Sequence, residues 1–182
     1  MKKIILVATA LCMAFAGITA ASAQEASDSF VVRDGITWGM SEAEVTALEG
    51  DGYQSEEQNG LTLVYYPAVR LGDYEAHLIY AFASDRLQKA FYGVEQPDQE
   101  MFDSLKQNCR DAYGEEKETA PEALLALMDG LQPGAFTMET VQGWEFCRWY
   151  AADGTEVWLI WEKHDDVFRI ELACVSPEHT ER

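Results

Sequence analysis

Positive charge is what this chain has least of. Thirteen Lys and Arg stand against thirty-two Asp and Glu, a formal net charge of −19 at neutral pH. Such a surface repels nucleic-acid phosphate and anionic lipid, so no nucleic acid is expected as a partner. A cationic partner or a divalent ion is compatible with it but not implied. Histidine is nearly as scarce: only His77, His164 and His179 occur. Neither H-E-x-x-H nor G-x-S-x-G is present, so histidine-assisted nucleophilic catalysis lacks its parts. Cysteine is limited to Cys12, Cys109, Cys147 and Cys174, with no C-x-x-C. That excludes a thioredoxin-like motif and argues against a Cys-rich zinc site. No glycine-rich phosphate cradle exists; "DGLQPG" reads as a helix stop followed by a turn. Asp165–Asp166 beside His164 reads as a polar hairpin turn rather than a cation site. "DGYQSEEQNG" offers oxygen ligands without the spacing of a calcium loop. No catalytic residue, cofactor or metal ligand is assigned from the sequence.

Long apolar runs are missing too, except at the start. "MKK" followed by "IILVATALCMAFAGITA" and the small residues Ala21–Ala23 has the three-part layout of a signal peptide over residues 1–23. Leu11 stands before Cys12 where a lipidation signal needs a small residue. Beyond residue 23 nothing approaches the roughly 18 apolar residues of a membrane helix, so no stable membrane insertion is expected after cleavage. Export to the periplasm or the exterior is. Cleavage takes two lysines and no acid, leaving 159 residues and moving the net charge to −21. That length can bury a sizeable core without staples. Cys109, Cys147 and Cys174 fall at core-facing positions. Two readings stay open: three buried small hydrophobes, or one disulfide with a thiol left over.

What is present is a clear alternation of periods. Residues 24–35 read as a flexible N-terminal segment. In "ITWGMSEAEVTALEG", Ser41 and Glu44 form a capping box, with Met40 and Val45 placed as a hydrophobic staple. Val45 and Leu48 mark a buried stripe, and Gly50 ends the helix. Trp38 reads as a lid on the core. Asn59–Gly60 signals a hairpin. "LTLVYYPAV", "EAHLIYAFA" and "RLQKAFYGV" follow as a three-stranded meander, with a short strand around Tyr53–Gln58 as an extra. From Asp98 to Tyr113 the apolar spacing becomes helical. "PEALLALMDG" is a second short helix, with Pro121 near its first position. "WEFCRWYA", "TEVWLIWEK" and "VFRIELACV" return to strands. The fold class is therefore α+β, in two layers: helix-plus-antiparallel-meander units at 36–96 and 97–177, forming one sheet with helices on one face.

Gly39–Met40–Ser41, Gly50, and Tyr80–Ala81–Phe82 with Asp85 resemble the helix-then-meander unit of the β-lactamase-inhibitor-like proteins and the small outer-membrane assembly lipoproteins. "LKQNCRDAYG" with "WYAADGTEVWLIW" is similar to a second unit seen in exported bacterial proteins of unknown role. The resemblance covers most of the chain after residue 23. It implies a fold, and binding of other proteins through the sheet face or its loops. The missing lipobox separates this chain from the lipoproteins.

Four of the five tryptophans lie within Trp144–Trp161. On Thr155–Glu162 both faces are apolar: Val157, Leu159 and Trp161 on one, Trp158 and Ile160 on the other. If helices cover one face, the other exposes an aromatic patch with Trp149 or Tyr150 beside it. Alternatively, a loop such as Leu131–Thr137 folds over it. The functional expectation is an exported bacterial protein-binding or adaptor module, without catalysis, whose partner is another exported protein. Its expected contact residues are Trp149, Tyr150, Trp158 and Trp161. The alternatives are an acid-assisted hydrolase with its site between the two halves, or a cation or small-ligand carrier.

Overall fold

The capping box forms as its chemistry requires. Ser41 Oγ accepts from the Glu44 amide at 3.3 Å, and Glu44 Oε2 accepts from the Ser41 amide at 2.9 Å. These bonds hold the Glu44 carboxyl below its ordinary range. They open α1 (Glu42–Glu49), which Gly50 ends at φ 87°. The computed structural model to which these bonds belong describes residues 30–182 apart from 131, 165, 166, 181 and 182. The expected signal peptide at residues 1–23, residues 24–29 and the expected turn at Asp165–Asp166 lie outside the described residues.

Residues 30–35 correct the reading of a flexible segment. Val31–Arg33 (β1) pairs with Ile36–Thr37 (β2) as a small antiparallel hairpin. Burial holds it down: Val32 is fully enclosed, and Phe30 stacks on Trp38 at 6.0 Å. Trp38 packs against the core and donates through Nε1 to Thr155 Oγ1 at 2.8 Å. It is the lid its sequence position suggests. Leu48 departs from expectation. It is 56% exposed, because α1 is eight residues long and buries only Val45.

The remaining strands are β3 (Gln54–Gln58), β4 (Leu61–Leu71), β5 (Tyr74–Ala83), β6 (Arg86–Glu95), β7 (Glu145–Tyr150), β8 (Glu156–His164) and β9 (Val167–Val175). Asn59 and Gly60, at φ 52° and 79°, make the β3–β4 turn. Ser84 and Asp85, at 51° and 58°, make the β5–β6 turn. Both turns use the paired left-handed residues that match strand twist. The seven strands form one antiparallel sheet, ordered β3-β4-β5-β6-β9-β8-β7. The two meanders meet where β6 pairs with β9, from Lys89↔Val175 to Glu95↔Arg169.

Alternation along each strand creates two apolar faces. The back face carries Tyr66, Tyr80, Tyr92, Leu172, Leu159 and Trp149, among others. It is covered by β1–β2, by Val45 of α1, and by α2 (Gln99–Tyr113) through Phe102, Leu105 and Cys109. Asp98 caps α2 by accepting from the Met101 amide at 2.8 Å. Cys109, Cys147 and Cys174 are buried in this layer and no disulfide joins them.

The front face overturns the expectation of helices on one side only. Helix α3 (Pro121–Asp129) packs Leu124, Leu127 and Met128 against Trp158, Ile160, Ala173, Val175 and Phe91. Val141 and Trp144 join the same cluster, with Phe136 packed against it. The physical reason is that β8 is apolar on both faces. Its front needs a cover, and the stripe of α3 needs a surface. Each buried side chain of this kind contributes roughly 1.5–3 kcal/mol. The short helix α4 (Pro177–Thr180) follows β9.

Candidate functional site

The four tryptophan and tyrosine positions expected to meet a partner do not form a surface. Trp149 is fully buried in the back layer and Trp161 is 7% exposed there, its ring 5.2 Å from that of Phe102. Trp158 lies on the front but is 1% exposed beneath α3. Its indole donates to Glu156 Oε2 at 2.9 Å. Tyr150 is half-buried, with the Arg148 guanidinium 5.0 Å from its ring centre. Alternation splits these residues between opposite faces, and the covering segment closes the front. The exposed aromatic patch is therefore corrected to a buried one.

The uncovered part of the front lies over the other meander. Register sets its rows. Gln54, Tyr65, Ile79 and Phe91 are successive cross-strand neighbours, and Glu56, Leu63, Ala81 and Lys89 form the next row. Tyr65, Leu63 and Ile79 are half-buried. With Gln54, Ser55 and Glu56 they line an open cavity of about 240 Å³. Tyr65 also meets His77, ring centres 5.7 Å apart. The His77 ring lies across Gly93, where an added Cβ would stand 2.2 Å from Cε1 and Nε2. Gly93 is required by this close approach. Burial, then the nearby Arg169 charge, lowers the His77 pKa.

A carboxyl-rich cluster marks the seam between the two meanders. Glu95 Oε1 accepts from Arg169 Nε at 2.9 Å and stands 4.0 Å from His77 Nδ1. Arg169 also stands 3.7 Å from Glu171 Oε1. Glu162 and Glu171 share a hydrogen bond. Burial, and then the charge of Glu162, pushes Glu171 up to about 8. Burial likewise raises Glu162. Two adjacent carboxyls and one arginine favour retention of a proton at neutral pH. Among the described residues, no group of His, Cys, Asp and Glu is arranged to hold a metal ion.

Lys89 lies at the same boundary. It is 2% exposed, and its Nζ abuts the end of α3, where a Cβ on Gly130 would stand 2.6 Å away. Burial lowers its pKa. A second concavity, about 550 Å³, lies on the covering segment between Met138, Val141, Gln142, Trp144 and Phe146.

Sequence reasoning missed the Tyr65–Ile79 face because attention went to the densest aromatics. The signal was present: Leu63 and Tyr65 alternate with the core residues Val64 and Tyr66. It missed the seam as well, although Glu171 between Ile170 and Leu172 is a carboxylate inside an apolar strand. No family model, no curated protein and no solved structure matches this chain.

Proposed function

We propose that this chain is an exported binding module for another protein, and that it engages its partner through the bare front of β4 and β5. The observation that carries the reading is the uneven cover of one continuous sheet. α3 and the segment after it bury the front of β8 and β9, while Tyr65, Leu63 and Ile79 are left half-open around a cavity. A patch of this kind suits an aromatic or aliphatic anchor from a protein partner. The resemblance of Gly39–Ser41 and Tyr80–Asp85 to exported binding proteins adds support. The Glu162–Glu171 pair has the proton sharing of an acid catalyst but lines neither cavity. Binding is therefore preferred to hydrolysis.

Site-specific photo-crosslinking in the producing cell tests this. A photoreactive residue at position 65 or 79 should capture a protein that one at Phe168, exposed on the back of β9, does not. Tyr65→Lys should abolish retention of the captured protein by the purified chain. Equal capture from both faces, or from neither, would remove the front face as the contact.

A further inference from the structure

The two edges of the sheet differ in a way the front face does not explain. At the β7 edge the chain caps itself: the Lys117 amide donates to the Arg148 carbonyl at 2.8 Å, forming an isolated antiparallel bridge. At the other edge, among the described residues, β3 pairs only with β4. Four of its five residues, Gln54–Glu57, are exposed. It carries none of the usual edge guards except charge: no proline, no lysine.

That charge has one sign over a long stretch. From Asp34 to Val69 the sequence contains seven carboxylates and no Lys, Arg or His. Fold topology gathers this stretch at one end of the molecule, as α1, β3 and most of β4. Glu49 is neutralised by Arg33 at 3.1 Å. Glu56 and Asp51 are exposed, with no ion pair among the described residues. Two large apolar side chains stand out at the same end, Leu48 at 56% and Tyr53 at 40% exposed. Tyr53 is backed by Tyr66 at 5.7 Å.

We propose that β3 is the docking edge for a basic, extended segment of a partner protein, which adds to the sheet as an eighth strand. Backbone pairing along Gln54–Gln58 supplies general affinity, as in other strand additions. Lysine or arginine side chains of the incoming strand lie over Glu56 on the front and Glu57 on the back. Their apolar stems reach toward Tyr65 on one side and Tyr53 on the other. A second copy of this chain is the wrong occupant, because pairing β3 with itself sets Glu56 and Glu57 against like charges. The inference rests on the chain being a binding module, but it uses the edge rather than the front face.

The test uses the full chain after signal removal and a short peptide of alternating lysine and valine, with the glutamate–valine peptide and spermidine as controls. Amide exchange at Gln54–Gln58 should slow when the basic peptide is added and not with either control. Glu56→Lys should weaken peptide binding at least tenfold, while Glu56→Gln weakens it less. Position 56 is exposed, so both variants fold. Binding of the basic peptide without protection at β3, or unaffected by Glu56→Lys, overturns the proposal. So does equal binding of spermidine, which would show attraction to charge alone. Tyr65→Lys separates the two readings. Capture at position 79 lost in Tyr65→Lys while the peptide still protects β3 supports the edge as a separate site. Capture lost in Tyr65→Lys with no protection of β3 by the peptide in the unmutated chain overturns the edge and leaves only the front face.

Discussion

The two meanders share one sheet and one back layer, yet their fronts meet opposite fates. Over β8 and β9 the front carries Trp158, Ile160, Ala173 and Val175, and α3 lies on it. Over β4 and β5 it carries Leu63, Tyr65, His77 and Ile79, and no helix of the described residues packs there. The difference shows that composition decides coverage. A front row of indole and branched aliphatic groups cannot stay wet, whereas tyrosine and histidine tolerate a half-open face because each has a polar end. What separates the halves is therefore a stability role on one side and an available surface on the other.

The sharpest way to break this contrast is to truncate one aromatic on each side. Trp158→Ala should destabilise the fold by roughly 3–5 kcal/mol, since it removes the floor beneath α3. Tyr65→Ala should cost no more than about 1 kcal/mol. Chemical denaturation of the two variants checks the difference; equal costs would mean the first meander is as tightly closed as the second.

The seam gives the next effect. Glu171 binds its proton more tightly in the fold, at about 8, than its ordinary value of 4.5. The folded state therefore holds more protons between those limits, and stability falls as pH rises from about 4.5 to 8, by at most ~1.4 kcal/mol per pH unit. Glu171→Gln, which keeps a neutral hydrogen-bonding group, should flatten the profile and be more stable than the parent at pH 8. An unchanged profile would place the buried proton elsewhere.

Gly93→Ala comes third. Its methyl group would force His77 from its place over the strand, at a cost of roughly 1–3 kcal/mol, and would change the shape of the bare front beside Tyr65. A histidine resonance that stays put on NMR would contradict the close approach. The smallest effect belongs to the back layer of the first half. Ser41→Ala removes one side of the capping box and should cost about 1 kcal/mol by thermal unfolding.

Much of this architecture was legible in the residues because the controlling interactions are local. The capping box at Ser41 and Glu44, the Asn59–Gly60 turn and the helical spacing of Met101, Phe102, Leu105 and Cys109 depend on neighbours a few positions away. The α+β class and the antiparallel sheet followed from them. The side on which α3 packs was not legible, since Leu124, Leu127 and Met128 fit any apolar surface and β8 offers two. The exposure of Leu48 was missed for a related reason: helical spacing marks a stripe but not how far the sheet extends beneath it. The bare front and the carboxyl seam depend on strand register between segments up to a hundred residues apart, as in His77, Glu95, Glu162 and Glu171. Register between distant strands is a third relation that local pattern leaves unset.

Lys89 turns the boundary between the halves into a built-in reporter. Its ammonium is sealed against the end of α3, so an acylating reagent reaches it only when that helix lifts away. The lag of Lys89 behind the exposed Lys117 in a timed labelling experiment would give the opening frequency of the front cover directly, in the unmutated protein.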